Sequence, residues 1–315
     1  MAKPLSSHLH REIHKCIAEE GMTFEQARKK LGLAIGTVWN YARILPPIED
    51  FEPQHPEPDK TDLPPTFTRQ RYAFEIDTPG WWLVMGDQHI PFHDPTTCEL
   101  AVKQAKKRKV VGILLNGDLL DYHEISVFDK DPTKPRLVYE IEIGKEYLAW
   151  MRGQFPNVRI VFKTGNHDDR LDNYVQSRGP ALFKMEGLNV ESVLHLDRYG
   201  IEIVKEKRRI NLGRLTVLHG HELGRRFQNP VNPARGLYLK CRSVAICSHF
   251  HQSSHHRAKN IKGKAEAAWS VGCACDLEPL WLPVNEWNHG FAFVKVENDG
   301  SFSVENKEVE NGRVT

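Results

Sequence analysis

The chain lacks any apolar run of about 18 residues, the length a helix needs to cross a bilayer. Its first residues carry His8, His10, Glu12 and His14 where a secretory signal would have an unbroken apolar core. Both absences point to a cytoplasmic protein with no membrane partner. Cysteine is scarce: Cys16, Cys98, Cys241, Cys247, Cys273 and Cys275 contain no Cys-x-x-Cys pair, so neither a zinc ribbon nor a dithiol redox site is indicated. They read as reduced core thiols, with Cys273-Ala274-Cys275 alternating on a predicted strand. A large charge of one sign is also missing. The formal net charge of +2 does not by itself call for nucleic acid, and the local runs Lys106-Lys107-Arg108-Lys109 and Lys205-Glu206-Lys207-Arg208-Arg209 read as solvated faces. With 40% hydrophobic and 27% charged residues, 315 residues suffice for one sizeable domain and a small second one.

What is present is a series of short polar pieces, each close behind an apolar run. Trp82-Leu83-Val84-Met85 leads to Gly86-Asp87-Gln88-His89, Val110 to Leu115 to Gly117-Asp118-Leu119-Leu120-Asp121, and Val158 to Phe162 to Gly165-Asn166-His167-Asp168. Leu215 to Leu218 leads to His219-Gly220-His221, and Val244 to Cys247 to Ser248-His249-Phe250-His251. Such runs read as buried strands, and ligands of open α/β sheets collect where strands end at their carboxyl termini. Hard oxygen donors mixed with imidazoles suit divalent ions, Mn first, with Fe, Zn, Mg or Ni as alternatives. Helices are predicted over Thr96 to Arg108 and Leu137 to Met151, giving a βαβαβ start. Residues 171–200 read as a mixed helical insertion expected to wall the substrate. Gly200 to Val204, Arg209 to Leu212 and the Leu215 strand are expected to form a second, more antiparallel sheet.

In this order the five pieces resemble the calcineurin-like metallophosphoesterase family: Asp-x-His, Gly-Asp-x-x-Asp, Gly-Asn-His-Asp, a strand-final His-Gly, then His-x-His. The resemblance implies an α/β fold of two sheets packed as a sandwich and flanked by helices. It implies two divalent ions, the first held by Asp87, His89, Asp118 and His251, the second by Asp118, Asn166, His219 and His249, with Asp118 as the bridge. Ions sharing a carboxylate lie about 3.5–4 Å apart, and a water between them loses a proton near neutral pH, supplying hydroxide for in-line attack on phosphorus. His167, with a reference pKa of about 6.5, is the expected proton donor to the leaving oxygen. Asp121 resembles the family carboxylate that orients this histidine. Tyr122 departs from the protein-phosphatase branch, which has a phosphate-clamping arginine there. Arg170, or Arg225 and Arg226, are the candidate replacements, and His221 is a candidate contact at the substrate rim. His255 and His256 match no ligand slot. The final His-x-His resembles the nuclease and phosphodiesterase branches, which makes a diester the expected substrate.

Residues 1–45 read as three helices. His10 to Glu20 presents Ile13 and Ile17 on one face before Gly21. Thr23-Phe24-Glu25-Gln26 has the form of a capping box that opens a helix ending at Leu31 and Gly32. A third helix is predicted over Ile35 to Ile44. The stretch from Met22 to Tyr41 resembles a helix-turn-helix DNA-binding unit. That implies Ala27 and Val38 packed inside, Gly36, Thr37, Asn40, Tyr41 and Arg43 near DNA, and Arg28, Lys29 and Lys30 near phosphate. A helical bundle serving dimerisation is the alternative. Residues 46–70 hold seven of the 19 prolines among acidic residues and read as an extended, solvated linker to a catalytic domain over 71–315. The expected function is therefore a phosphodiesterase or nuclease, of phage type, delivered to DNA by its amino-terminal unit. The alternatives are hydrolysis of small nucleotides or phosphoproteins, and a DNA-binding regulator whose phosphoesterase fold is not catalytic. The intact His167 and Asp121 argue against the last.

Overall fold

Backbone contacts divide the chain into Met1–Arg69 and Gln70–Thr315. The computed structural model describes residues 7–42, 68, 71–224, 231–259, 261 and 263–315, the side chains at 7, 18, 40 and 41 excepted. The candidates Arg43, Arg225 and Arg226, the side chains of Asn40 and Tyr41, and nearly all of the expected linker lie outside the described residues.

In the first unit, α1 (Ser7–His14) runs into a π-helical turn (Lys15–Glu19), followed by α2 (Phe24–Leu31) and α3 (Ile35–Ala42). The first element was expected to stay α-helical to Glu20. Instead the Glu20 N–H reaches Lys15 O and the Met22 N–H reaches Cys16 O, closing the helix over Gly21 at φ +63°. The capping box is formed: Thr23 Oγ1 accepts from the Gln26 N–H at 3.3 Å, and Gln26 Oε1 accepts from the Thr23 N–H at 2.8 Å. Gly32 closes α2 in the left-handed region, φ +66°. Ile13, Cys16, Ala27 and Val38 are buried together, with Leu31, Leu33 and Met22 packed against them.

The second unit begins β1 (Phe74–Ile76), β2 (Gly80–Met85), α4 (Pro95–Arg108), β3 (Gly112–Asn116), α5 (Leu137–Gln154), β4 (Arg159–Lys163), α6 (Asp169–Arg178), α7 (Val190–Val193) and β5 (Ile201–Val204). It continues through β6 (Ile210–Leu212), β7 (Leu215–Val217), α8 (Pro233–Cys241), β8 (Ala245–Cys247), β9 (Ser254–Lys259) and β10 (Ala265–Ser270). The last strands are β11 (His289–Val296), β12 (Phe302–Glu310) and β13 (Arg313–Val314). One sheet has the order β13-β12-β11-β2-β3-β4-β5, with β2 to β5 parallel, and the other the order β1-β6-β7-β8-β10-β9.

The unbroken apolar runs are explained by burial on both faces. Leu83, Met85, Ile113, Leu115, Ile160 and Phe162 face a core shared with α4 and α5. Their alternates Trp82, Val84, Leu114 and Val161 meet Ile76, Leu212, Val217 and Ile246 between the sheets. On the far side, Ala234 and Leu237 of α8 pack on Ala245, Cys247 and Ala268. The layers are thus helices, sheet, sheet, helix, the mixed α/β sandwich that the motifs imply.

Three expectations are corrected. The strand Ile201–Val204 belongs to the first sheet, parallel to β4, because the segment before it is a crossover. That crossover holds the expected insertion, and its Val190, Leu194 and Leu196 are buried in the core. The second sheet is mixed: β6 pairs β7 antiparallel, while β8 is parallel to both β7 and β10. Cys273 and Cys275 lie in an irregular segment that makes only isolated bridges to His289 and His93. Among the described residues no helix is long and apolar enough to cross a membrane.

Candidate metal centre

The parallel order of β2, β3 and β4, with β7 and β8 facing them, brings five loops to one edge of the sandwich. The backbone there is unusual. Asp87, His89, Asp118, His249 and His251 all have φ between +46° and +70°, a region that non-glycine residues seldom enter and that gathers at functional sites. Two motif glycines are required by close approach. A Cβ on Gly117 would stand 2.2 Å from His219 Nδ1, and one on Gly165 would stand 2.2 Å from Asp118 Oδ1.

Those loops aim their donors into one space. His89 Nε2 and His251 Nε2 face each other at 3.2 Å, with Asp87 Oδ1 3.4 Å from the latter and Asp118 Oδ2 3.8 Å from the former. His219 Nε2 lies 3.2 Å from Asp118 Oδ2 and 3.9 Å from Asp87 Oδ1. Ligand atoms of Asp118, His219 and His249 all fall within 4.8 Å of one another. Each group is also held from behind. His219 Nδ1 hydrogen-bonds Asn116 O at 2.7 Å, which leaves its Nε2 as the nitrogen pointing inward. Asp87 Oδ2 accepts from the His249 N–H, and Asp118 Oδ1 from the His167 N–H, each at 2.8 Å.

Whether cations suit this pocket is decided by what the inward atoms lack. Asn166 Oδ1 is buried without a hydrogen-bond partner, and Asp87 Oδ1 and His219 Nε2, though close to His251 Nε2 and Asp118 Oδ2, make no well-directed hydrogen bond; leaving such atoms unmet costs about 1–3 kcal/mol each. A divalent ion satisfies acceptors and lone pairs together, so the donor set fits. In the metal-free protein the charges compensate one another. Burial lowers His219 and His251, but the carboxylates of Asp118 and Asp87 outweigh it and push each up to about 10. Burial, then the His219 charge, pushes His249 down to about 3.

Beside this group stands the expected acid and its orienter. His167 Nδ1 is 3.0 Å from Asp121 Oδ1 and 2.9 Å from Asp121 O. His167 lies within ligand reach of His89 and Asp118, but its other nitrogen, Nε2, receives Arg170 Nη2 at 3.0 Å, so both ring nitrogens are engaged elsewhere. Arg170 also donates from Nη1 to Asp121 O at 2.7 Å. It is packed on the acid and orienter instead of projecting freely towards a substrate. His221 is turned inward: its side chain is 7% exposed, with Nε2 3.4 Å from Asp169 Oδ2 and its ring 5.3 Å from that of His219. Tyr122 is fully buried in the core, and His255 stacks on Trp269 of β10.

Several positions carry roles that the sequence alone did not assign. Asp168 accepts from the N–H groups of Asp118, Leu119 and Gly165 at 2.7, 3.1 and 2.8 Å, tying the β3 loop to the β4 loop. Glu222 accepts from the N–H groups of His219 and Gly220 and pairs with the fully buried Lys163 at 2.7 Å. Cys275 Sγ sits 3.8 Å from His251 Nδ1, behind the imidazole. The only sequence signal for Asp168 was its place in the Gly-Asn-His-Asp piece. Lys163 and Glu222 gave none, since each reads as a surface charge. In the helical unit, Arg28 pairs with Glu25 at 2.7 Å and Lys30 with Glu20 at 2.6 Å; Lys29 is exposed and Thr37 partly so. Such exposed pairs contribute little and are readily given up.

No protein-family model matches the sequence, and neither does any curated protein. Among solved structures, vacuolar protein sorting 29 from Cryptosporidium parvum is similar at 14% identity and a TM-score of 0.38, over 75% of this chain and 95% of that one. Vps29 of Chaetomium thermophilum is similar at 15% identity and 0.36, over 75% and 95%. The E. coli phosphoesterase Yfce is similar at 13% identity and 0.32, over 71% and 98%.

Proposed function

We propose that this protein is a dinuclear, metal-dependent phosphodiesterase of the calcineurin-like type that acts on DNA. The observation carrying the reading is the convergence of unmet buried donors, Asp87 Oδ1, Asn166 Oδ1 and His219 Nε2, around Asp118, with the His167–Asp121 pair alongside. Asp87, His89, Asp118 and His251 would hold one ion, and Asp118, Asn166, His219 and His249 the other. Two such ions supply Lewis acidity towards phosphoryl oxygens and acidify a water.

The chain's own residues do the rest. Asp121 fixes the His167 ring through Nδ1, so that Nε2 is the nitrogen that delivers a proton to the leaving oxygen. Arg170, now on that nitrogen, has a guanidinium that suits a phosphate oxygen and can exchange one partner for the other. Asn166 contributes a neutral carbonyl, which keeps the pocket's charge attractive to an anionic diester. The helical unit holds the substrate polymer near, raising its local concentration. Arg28, Lys29, Lys30 and Thr37 are its described candidates for DNA contact.

The test is full-length protein with Mn on bis-p-nitrophenyl phosphate, p-nitrophenyl phosphate and single- and double-stranded DNA. Diester and DNA cleavage with little monoester turnover is expected, and DNA cleavage should weaken with salt more steeply than small-diester cleavage. Monoester turnover with inert DNA would replace this reading by a phosphatase.

A further inference from the structure

We infer that the loop over residues 277–287 carries a nucleobase-stacking subsite beside the first-ion group, with Trp281 as its platform. The inference deepens the diesterase reading and rests on it. A row of aromatic rings leaves the acid: His167 to His89 at 4.3 Å, His89 to His251 at 5.0 Å, His251 to Trp287 at 4.1 Å and Trp287 to Trp281 at 5.6 Å. Its inner members are the proposed acid and ligands; its outer member, Trp281, is 67% exposed. The loop is stapled in place. Asn285 Nδ2 donates to Leu277 O and Leu282 O, and Asn285 Oδ1 accepts from the Trp287 N–H, each at 2.8 Å. The Asn288 N–H, donating to His251 O at 2.9 Å, anchors the loop to a ligand residue.

An indole face is thereby held open at the outer end of that row, beyond the first-ion group. Charge selects what can lie there. Asp276, Glu278 and Glu286 flank the tryptophans and repel a second phosphate, whereas a neutral base offers a π-face to any aromatic platform. The ligand is therefore an unpaired base attached to the scissile phosphate.

The test compares kcat/KM of the Mn-loaded full chain on thymidylyl-thymidine and on its abasic analogue. The wild type should favour the base-bearing substrate by about tenfold or more, the range of one stacked base. The ratio should fall towards one in Trp281→Ala and persist in Trp281→Phe. A readout without turnover accompanies it: the same dinucleotide should quench tryptophan fluorescence of the metal-free wild type, and less so that of Trp281→Ala. Quenching through Trp281 without cleavage of any diester would uphold the subsite and sink the diesterase reading. Diester cleavage with an unaltered base ratio in Trp281→Ala would do the reverse. Leu280 and Val284, 92% and 88% exposed, make self-association the rival use of this loop. A shift of Trp281→Ala from dimer to monomer in sedimentation, with the base ratio intact, overturns the subsite. A larger ratio for oligothymidylate than for a cyclic mononucleotide identifies single strands, not free nucleotides, as the source of the base.

Discussion

The helical unit and the metal centre are built by opposite means. In the first, neighbours in sequence do the work: Thr23 and Gln26 cap one another and Gly32 ends the helix they begin. In the second, the groups come from five loops across two sheets, and their backbones sit in conformations that local preference disfavours. Regular local structure announces a fold and leaves its use open. Strained convergence announces a use, because local preference does not bring two imidazoles to 3.2 Å beside two carboxylates on backbones at positive φ. If that contrast is right, perturbing the centre should change chemistry far more than stability, and perturbing the helical unit should do the opposite.

The largest effect belongs to Asp118→Asn. It removes the charge shared by both proposed ions while keeping the side chain's shape and the acceptor for the His167 N–H. Loss of several kcal/mol of transition-state stabilisation corresponds to roughly a thousandfold or more in kcat. Diester turnover should vanish while the near-UV circular dichroism of the metal-free protein stays close to wild type and its melting temperature falls by no more than the loss of the Asp118–His219 pair explains. Retained turnover would mean that the bridge is elsewhere.

His167→Asn sharpens the contrast inside the centre itself. Removing a general acid costs roughly 100- to 10,000-fold when the leaving oxygen needs a proton. The deficit should appear on DNA and on alkyl esters and shrink on nitrophenyl esters, whose phenolate leaves unprotonated. An equal loss on both classes would make His167 a ligand or a structural group.

A smaller effect, on stability, follows from the charges. His219 and His251 stand at about 10 in the metal-free protein, above their ordinary 6.5, because Asp118 and Asp87 outweigh the opposing burial. A folded-state value above the unfolded one contributes stability in full below about 6.5, and that stability is lost as pH climbs through about 10. Protein treated with EDTA should therefore melt at progressively lower temperature from pH 7 to pH 10. With Mn bound, both rings serve as neutral ligands and proton loss favours binding, so the decline should flatten or reverse. A metal-free melting temperature that rises across this window would contradict the clustering of these rings on the carboxylates.

How much of this was legible follows the same divide. The strands could be read because burial on both faces makes their residues uniformly apolar, and the polar pieces could be read because they interrupt those runs abruptly. The sheet that Ile201–Val204 joins could not: its pattern suits an edge position in either sheet, and the crossover decides. Lys163 and Glu222 were invisible because each reads as a solvated charge until the two loops meet. Trp281 and Trp287 lie in a segment with no period, where only contact with His251 gives them meaning. The mild tendency of Asp and His towards positive φ is too weak to place it at Asp87 or His249, where the chain enters that region under tertiary constraint.

The mildest test probes the other half of the contrast. Thr23 Oγ1 meets one of the free N–H groups at the start of α2, and its own N–H is met by Gln26, so both halves of the cap depend on this residue. Thr23→Ala removes the acceptor, leaves the Gln26 amide to water and should cost about 1 kcal/mol. Because the buried apolar set among the described residues under α2 is small, Ile13, Cys16, Ala27 and Val38 with their partly covered neighbours, a loss of that size is a considerable share of what it can muster. Far-UV melting should show an earlier transition for the helical unit, while small-diester turnover, which needs no residue before Asp87, should stay at the wild-type rate. A parallel fall in small-diester turnover would mean that the two regions are energetically coupled, and local capping would then bear on the chemistry after all.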